Sequence, residues 1–271
     1  FGIKPLFYND QNDQFLFSSE IKGLIASNSI KKDINKNAIS SYLTFRYPYG
    51  VGTFFKDIKF IEPGQILEIN KNKTITKKYY WELPINSKKE KKNEKFYLKT
   101  IEETLHKTVL EHLESDVEIG SLLSGGLDSS LITAMMSKNI KYKIKTFSAS
   151  FDQTNYDEIE YAHLVSKQYS TNHINIKLSA RNYLDTLNEV INVRQVPLSI
   201  PHEVALYDLF KKIGKHVKVV LSGEGADELF GGYGRVQSSA YDYNKINFIN
   251  KYLPFLNNPK TFKLLNLDPE S

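Results

Sequence analysis

The sequence predicts an α/β fold, a parallel sheet flanked by helices, preceded by a smaller α+β segment. From residue 96 onward, apolar strand-like runs alternate with helical patterns. Two of these runs end in Ser-Gly turns, at Ser124 and Ser222. Before residue 83 the chain instead shows short strand-like runs separated by turns. These three observations predict two segments with different architectures.

The first segment, residues 1–82, is expected to be mostly antiparallel. Apolar runs on either side of the polar stretch 9–14 have the pattern of a hairpin. Asn70 to Lys73 reads as a second hairpin-type turn. The predicted elements are strands at 1–8 and 15–19, helices at 19–24 and 37–45, and strands at 66–69 and 74–81.

A basic linker is predicted at residues 83–95. Its sequence, LPINSKKEKKNEK, has almost no apolar residues, so it cannot bury surface. We expect an exposed connection between the two segments.

In the second segment, residues 96–271, predicted strands alternate with predicted helices, which is typical of a parallel sheet. Apolar residues three or four apart predict a helix at 96–113. The continuous apolar strand that ends at Leu221 predicts burial on both faces. Ligands of such sheets bind beyond the carboxyl ends of strands. Further strands are predicted at 117–123, 144–151, 173–177 and 217–221, and helices at 129–138, 157–168, 181–191 and 201–213.

Composition excludes several classes of protein. The 271 residues, 41% of them hydrophobic and 25% charged, suit a soluble protein of one or two domains. No apolar run approaches the ~20 residues of a membrane span. The net charge is +5, from 36 basic and 31 acidic residues, with much of the excess at 71–95. We interpret that run as a solvated linker and expect no nucleic-acid partner and no membrane partner.

The residue types that are missing narrow the chemistry. There are no cysteines, which excludes disulfides, thiolate metal sites and a cysteine nucleophile within this chain. The six histidines form no HxH or HExxH pattern. Phe1 opens inside a predicted strand, without a signal peptide or an initiator Met, so we expect a piece of a longer, cytoplasmic protein.

The first motif, SGGLDSS at residues 124–130, joins a predicted strand to a predicted helix. Its glycines allow a close backbone approach, and a helix starting at about Ser129 would aim N–H groups and its positive dipole end at a ligand. This favours a phosphate cradle, although it lacks the lysine of a Walker loop. Asp128 in that place makes sense if it holds a Mg²⁺ that bridges phosphates. The alternative is an ordinary glycine turn.

The second motif, LSGEGADELFGGY at residues 221–233, follows another buried strand. Glu224, Asp227 and Glu228 place three acids within five residues. One acid could hold Mg²⁺ and one could act as a base. Asp227 and Glu228 cannot share one face, so one of them could be structural. The alternative is a solvated helix N-terminus, which the helix dipole favours.

At these residues the chain resembles glutamine-hydrolysing asparagine synthetases, over nearly its whole length. The first motif matches the PP-loop of that family's ATP-pyrophosphatase domain, which is an adenine-nucleotide α-hydrolase-like fold. The PP-loop is shared with GMP, NAD and argininosuccinate synthetases and tRNA-modifying ligases, whereas the second motif is far more specific. TFSASF at 146–151 and YDE at 156–158 fit the family's order. FGIKPLFY at 1–8, SSEIKGL at 18–24 and the Pro63-Gly64 pair resemble the C-terminal part of its N-terminal-nucleophile glutaminase domain.

The resemblance implies a reaction and its residues. ATP, with Mg²⁺, would activate aspartate as β-aspartyl-AMP and release pyrophosphate, and ammonia from glutamine would then form the amide. Catalytic roles would fall to Glu224, which handles the incoming amine, and to Asp128 and Asp227, which hold Mg²⁺. ATP would be bound by Leu122, Ser124, Gly125, Gly126, Asp128, Ser129, Ala149, Ser222 and Gly223. The partners would be the small molecules aspartate, glutamine and ATP, together with a second copy of the chain in a homodimer.

Three departures from the family pattern bear on these expectations. The family's N-terminal cysteine nucleophile precedes the point at which this chain begins. A later lysine that neutralises charge at the adenylate has no match here. Gln195-Val196-Pro197 stands where many relatives have Asp-Glu-Pro, which puts the acid contacts there in question. The fragment alone is therefore expected to be inactive.

Alternative functions remain open at this stage. The first is a related amidotransferase that acts on another carboxylate, such as a sugar acid or a β-lactam-type precursor. The second is a non-catalytic nucleotide-binding remnant, against which the intact Asp128, Asp227 and Glu224 argue. A tRNA-thiolating ligase is disfavoured because it usually needs cysteines.

Overall fold

The computed structural model describes residues 2–11, 13–50, 52–84, 92–151, 159–234, 244, 247–248 and 251. The chain divides into two compact units. The first comprises Phe1–Glu102, Phe151–Thr154 and Ile176–His216. The second comprises Glu103–Ser150, Asn155–Asn175 and Val217–Ser271. Within the described residues, no helix combines the length and the apolar character needed to cross a membrane.

The first unit begins with short antiparallel strands. Strands β1 (Phe7–Asn9) and β2 (Leu16–Ser18) form the predicted hairpin, and β3 (Lys59–Phe60) pairs with the other edge of β1. A second hairpin joins β4 (Gln65–Ile69) to β5 (Ile75–Tyr79). The helices are α1 (Ile21–Ile25) and α2 (Lys36–Phe45).

The core of the first unit contains Ile21, Leu24, Ile30 and Ile58. Val196, from a distant part of the chain, packs against this cluster. Its apolar side chain therefore has a packing role, at one of the positions where the family resemblance implies an acid.

Two more helices belong to the first unit, α6 (Tyr183–Arg194) and α7 (Glu203–Ile213). A 3₁₀ turn at Ala180–Asn182 precedes α6. The loop between the helices is anchored at its middle, and its two ends are joined by an ion pair. Tyr42 donates a hydrogen bond to the carbonyl of Leu198 (2.6 Å), and Glu203 accepts the backbone N–H of Ser199 (3.1 Å) and pairs with Arg194.

The second unit contains most of a four-stranded sheet of order β8-β7-β6-β9. Its pairings of β6 with β7 and of β6 with β9 are parallel, as the alternating pattern predicts. The strands are β6 (Ile119–Leu122), β7 (Lys145–Phe151), β8 (Asn172–Leu178) and β9 (Val219–Leu221). The helices are α3 (Glu94–His112), which starts in the first unit, α4 (Leu127–Asn139), α5 (Ile159–Gln168) and α8 (Ala226–Phe230).

Helices α3 and α4 pack on the sheet around Val109, Ile119, Met136 and Ile144, each at most 5% exposed. Burying side chains of this size stabilises a fold by about 1.5–3 kcal/mol each. The packing holds β6 in place, and the first motif leaves from the end of β6.

Several boundaries differ from the sequence predictions. Helix α4 begins at Leu127, two residues before the predicted start at Ser129, because Gly126 is extended (φ −68°, ψ 166°) and its carbonyl accepts the N–H of Ser130. Helix α7 begins at Glu203, so Pro201 precedes the helix.

The prediction that strand 217–221 is buried on both faces is wrong for its middle. Among the described residues β9 is an edge strand, and Val219 is 37% exposed. Parts of the predicted linker and of helix 157–168, and nearly all of the chain after residue 234, lie outside the described residues.

Candidate functional site

Both Ser-Gly turns leave the sheet at the carboxyl ends of neighbouring strands. Strands β6 and β9 are parallel neighbours, with Ile119 opposite Val219 and Ser121 opposite Leu221. Ser124 follows the end of β6 by two residues, and Ser222 follows β9 directly. The carboxyl ends of parallel strands are where such sheets bind ligands.

The first turn is held by its own hydroxyl groups. The Ser124 Oγ accepts the N–H of Gly126 (3.2 Å) and lies 3.0 Å from the Ser129 Oγ. The Ser129 hydroxyl also donates a hydrogen bond to the Gly126 carbonyl (3.2 Å). Asp128 and Ser129 stand in the first turn of α4, where helix N–H groups lack intrahelical partners.

Gly125 at the centre of this turn has no substitute. Its φ is +93°, and a Cβ there would lie 2.6 Å from the Tyr161 Cβ and 2.7 Å from the Ala162 nitrogen. Helix α5 therefore presses against the turn and fixes its backbone path.

The second turn repeats the geometry of the first. The Ser222 Oγ accepts a hydrogen bond from the N–H of Glu224, again two residues further along the chain (3.4 Å). Gly225 (φ +91°) precedes the one-turn helix α8 and accepts the N–H of Leu229 (3.1 Å). Each turn thus bends the chain from a strand into a helix through a serine hydroxyl.

The two turns are in direct contact. A Cβ built on Gly223 would lie 2.8 Å from the Asp128 Cβ and 3.0 Å from the Ser129 nitrogen. Real Cβ contacts are not this close, so only glycine allows the second turn to approach α4 this far. The structure therefore brings four predicted residues together: Asp128 and Ser129 of the first motif, and Ser222 and Gly223 of the second.

The remaining predicted nucleotide residues line the adjoining strand ends. Leu122 is the last residue of β6 and is paired with Phe147. Ala149 lies two residues beyond Phe147 on β7, and both Leu122 and Ala149 are half-buried. Small or apolar half-buried side chains at this edge suit a flat apolar group.

The acids of the second motif fall into two groups. Glu224 and Asp227 are exposed. Glu228 accepts a hydrogen bond from the Tyr233 hydroxyl (2.8 Å), and this bond lowers the pKa of Glu228 below its ordinary value. The same bond raises the pKa of Tyr233, with smaller contributions from the charges of Asp227 and Glu224. Glu228 is therefore engaged in holding the end of the motif.

Ser130, which is not among the residues predicted for the site, is a further candidate. Among the described residues its buried Oγ has no hydrogen-bond partner. A buried hydroxyl without a partner is costly, and a ligand or a water could satisfy it. The signal in the sequence was its place as the last residue of SGGLDSS.

The carboxylates present suit Mg²⁺ with bound phosphates more than a closed metal site. Within the described ranges, no three His, Cys, Asp or Glu side chains gather where they could hold a metal ion. Mg²⁺ commonly takes one or two carboxylates and completes its shell with phosphates and water. The carboxylate oxygens of Asp128 and Asp227 are of the type that Mg²⁺ prefers.

An apolar cavity of about 530 Å³ lies elsewhere, and its lining belongs entirely to the first unit. The lining includes Phe7, Phe54, Phe60 and Val196. No residue of the two Ser-Gly turns contributes to it. The cavity therefore says nothing about the chemistry of the two motifs.

Two family models match the chain. Residues 100–259 match the family model described as asparagine synthase. The chain belongs to the asparagine synthase family. Residues 1–81 match a second model, described as a glutamine amidotransferase domain. In this asparagine synthase family member, the two matched ranges lie on either side of the predicted linker.

Individual relatives carry the same family name. Asparagine synthetase [glutamine-hydrolyzing] 1 of Bacillus subtilis is 38% identical over 234 residues, which cover 86% of this chain and 36% of the relative. A putative asparagine synthetase [glutamine-hydrolyzing] 2 of Methanocaldococcus jannaschii is 32% identical over 260 residues, 94% of this chain and 49% of the relative. The chain thus spans between a third and a half of these relatives.

Among solved structures, an NH3-dependent NAD synthetase from Campylobacter jejuni is similar with a TM-score of 0.36 and 13% identity. The similarity covers 62% of this chain and 91% of that structure.

Proposed function

We propose that the chain is part of a glutamine-hydrolysing asparagine synthetase. In the proposed reaction, a carboxylate oxygen of aspartate attacks the α-phosphate of ATP, which gives β-aspartyl-AMP and pyrophosphate. Ammonia from glutamine then attacks the activated carbonyl, which gives asparagine and AMP. The family matches of both segments support this function, since they supply a glutamine amidotransferase domain and an asparagine synthase domain in one chain.

The observation that carries the proposal is the contact between Gly223 and Asp128. It joins the widely shared first motif to the more specific second motif at one edge of the sheet. A nucleotide whose phosphates lie on the first turn would then have its reacting phosphorus within reach of the second turn.

The first turn would hold the departing pyrophosphate. Ser124, Gly125, Gly126 and Ser129 supply hydroxyl and N–H donors next to the start of α4. A helix N-terminus favours anions through its unpaired N–H groups and its dipole. Binding would require the Gly126 N–H to exchange its bond to Ser124 for a phosphate oxygen.

Asp128 and Asp227 would hold Mg²⁺. The ion, when bound, would neutralise charge on the phosphates and orient the leaving pyrophosphate. Both carboxylates stand in the first turn of a helix, α4 for Asp128 and α8 for Asp227. Each helix begins beside one of the contacting turns, so both carboxylates are candidates to hold the same ion.

The AMP portion would lie on Leu122, Ala149, Ser222 and Gly223. These are half-buried residues at the ends of β6, β7 and β9. Glu224 would handle the incoming amine, accepting a proton as the amide forms. Its exposure in a turn next to Gly223 leaves it accessible to a substrate.

The domain organisation that follows has three parts. Residues 1–82 would be the C-terminal part of a glutaminase domain, 83–95 a basic linker, and 96–271 a synthetase domain. Val196 and the anchored 195–202 loop pack with the first segment, which supports a structural role for the Gln195-Val196 departure.

The test is carboxylate-dependent ATP–pyrophosphate exchange by the full-length protein. Aspartate, glutamate, a sugar acid and a β-amino acid precursor of a β-lactam would each be offered with Mg·ATP. We expect exchange with aspartate at least about tenfold faster than with the others, because a pocket that pairs a substrate's polar groups rejects analogues that leave them unpaired. Exchange with another carboxylate but not with aspartate would replace the substrate and keep the chemistry, and no exchange at all would overturn the function.

A further inference from the structure

A polar cluster of buried hydroxyls and a half-buried histidine lies beneath the first turn, and the proposed reaction does not use it. His173 of β8 stands at its centre, with its Nδ1 3.0 Å from the Thr146 Oγ1 and its Nε2 3.3 Å from the Ser148 Oγ. The His163 ring, on α5, packs against the His173 ring in a T-shaped arrangement, with centroids 4.9 Å apart and an interplanar angle of 73°. Thr146 and Ser148 are at most 5% exposed. Such a cluster needs every hydrogen placed consistently, because unpaired polar groups in it are costly.

Ser148 links this cluster to the first turn. Its hydroxyl donates a short hydrogen bond to the carbonyl of Leu123, and the Leu123 N–H donates to the Phe147 carbonyl (2.8 Å). Leu123 is fully buried and directly precedes Ser124. Both sides of the Leu123 backbone are therefore clamped to β7. The direction of its carbonyl sets the peptide plane that carries the Ser124 nitrogen.

The hydrogens of the cluster can be counted from one end. The Thr171 hydroxyl donates to the Ser166 Oγ (2.9 Å), so its only hydrogen is used. The bond between Thr146 and Thr171 (2.8 Å) must then be donated by Thr146. With that hydrogen also used, the His173 Nδ1 must donate to Thr146. Neutral His173 therefore carries its hydrogen on Nδ1 and leaves Nε2 as a bare acceptor facing Ser148.

The single hydrogen of Ser148 consequently has two possible acceptors. When His173 is neutral, both the Leu123 carbonyl and the His173 Nε2 are within reach. When His173 is protonated, Nε2 becomes a donor to the Ser148 oxygen, and the Leu123 carbonyl is the acceptor that remains. The charge of the imidazole thus decides how firmly the start of the turn is held.

We propose that Ser148 and His173 are positioning residues for the nucleotide-binding turn, and that protonation of His173 commits the Ser148 hydroxyl to the Leu123 carbonyl. Neither residue touches the proposed nucleotide. They act through the Leu123–Ser124 peptide. The proposed effect on ATP binding rests on the proposed function, whereas the coupling between His173 and the turn does not.

Burial is the larger cause that lowers the pKa of His173, and the charge of His163 lowers it further. Among the described residues, His163 is the titratable neighbour whose charge acts on His173. The other groups that face the ring, from β7, are the hydroxyls of Thr146 and Ser148. Because neutral His173 is the favoured form near neutral pH, the committed state is expected at acidic pH.

The test is an NMR titration of the 271-residue chain without any ligand. The His173 ring resonances and the backbone amides of Ser124, Gly125 and Gly126 are followed as the pH is lowered from 7.5. We expect the amides of the turn to shift with the same midpoint as the ring. In Ser148→Ala the ring should still titrate while the amide shifts at that midpoint disappear. Ser150→Ala is the matched control, since Ser150 lies on the same strand at 4% exposure and its removal leaves the bond to Leu123 in place.

A second variant separates the two histidines. His163→Phe keeps an aromatic edge against His173 and removes the neighbouring charge, so the ring midpoint should move to higher pH and the turn midpoint should move with it. This holds in a chain that retains Ser148, so it remains decisive where Ser148→Ala fails to fold. Three results would overturn the proposal. The turn amides could still shift at the ring midpoint in Ser148→Ala, or could stop shifting in Ser150→Ala. In His163→Phe, the midpoint of the turn amides could stay unchanged while the ring midpoint moves. A His173 ring that stays neutral until the chain unfolds would overturn it as well.

The consequence for the ligand is measured separately, by calorimetric titration of Mg·ATP at pH 7.5. Loss of one hydrogen bond at the turn should weaken binding about fivefold in Ser148→Ala and leave Ser150→Ala unchanged. A wild-type full-length protein that binds no ATP in the same titration would refute the proposed function without touching the NMR result. Equal affinity of Ser148→Ala and wild type would refute the positioning role.

Discussion

Gly223 lies so close to Asp128 that no side chain fits between them, although the two residues are far apart in sequence and follow two different strands. A Cβ on Gly223 would lie 2.8 Å from the Cβ of Asp128. This approach is possible because β6 and β9 are adjacent and parallel, so their Ser-Gly turns emerge side by side. The contact makes two motifs into one candidate site.

Gly223→Ala should therefore damage both the fold and the site. The added methyl must displace Asp128 or the start of α4, and overpacking of this kind costs about 1–3 kcal/mol. Urea denaturation should show that loss, and Mg·ATP affinity should fall with it. Gly234→Ala is the control, because no atom lies within 4 Å of a Cβ at Gly234, and it should stay within about 0.5 kcal/mol of wild type. Equal stability of the two variants would contradict the close approach.

His173 should make stability depend on pH. Burial and His163 lower its pKa below the ordinary 6.5. Between the lowered pKa and 6.5 the unfolded chain carries a proton that the native chain does not, so the unfolding free energy rises with pH in that window. The contribution is fully present above 6.5 and is lost as the pH falls through the native pKa.

His173→Gln should flatten this dependence, which urea denaturation at pH 5 to 7.5 would measure. His106→Gln removes an exposed histidine on α3 and should keep the wild-type slope. A His173→Gln variant with the wild-type slope would show that another group carries the dependence.

Glu224 and Glu228 should differ in function although both belong to the second motif. Glu224→Gln in the full-length protein should block amide formation and leave ATP–pyrophosphate exchange intact, since its proposed part begins after the adenylate forms. Glu228→Gln should keep amide formation within about threefold, because a neutral amide oxygen still accepts a hydrogen bond from Tyr233 and one neutral bond is worth ~1 kcal/mol. Product analysis with labelled glutamine distinguishes the two steps. A Glu224→Gln protein that makes the amide at the wild-type rate would remove Glu224 from the chemistry.

Val196→Glu, which introduces an acid at a packed apolar position, should be unfavourable. Val196 packs against the cluster of Ile21, Leu24 and Ile58. A carboxylate at this position should lower the free energy of unfolding of the protein by about 1–2 kcal/mol. Val193→Glu is the control, since Val193 is 44% exposed in the same stretch and should cost less. Equal costs would mean that Val196 is no more important to the packing than its neighbour.

The sequence predicted the order of strands and helices well because local patterns determine it. The Ser-Gly turns, the helices that follow them and the hairpin of β1 and β2 are all contained in short stretches. The early start of α4 was missed because Leu127 is 84% exposed, so it adds nothing to the apolar period that reveals a helix. The edge position of β9 depends on strand order, which an apolar run does not encode.

The parts of the site that depend on distant contacts were beyond the sequence. The approach of Gly223 to Asp128 needs the order of strands β6 and β9. The bond from Ser148 to Leu123 spans 25 residues and looks, in sequence, like any serine in a strand. His173 likewise had no motif around it, and only its buried partners give it a role.

If the two turns form one Mg·ATP site, Asp128 and Asp227 should act on the same ion, and a double-mutant cycle on the 271-residue chain measures this. Calorimetry would measure Mg·ATP affinity for wild type, Asp128→Asn, Asp227→Asn and the double variant. Each single change should weaken binding about 10- to 100-fold in the presence of Mg²⁺. Asp185→Asn, which alters an exposed acid in the first turn of α6, should change nothing.

If both carboxylates hold the same ion, the double variant should bind little more weakly than either single variant, because the first change already removes the metal. Losses that add in full would place the two acids in independent sites and contradict the claim.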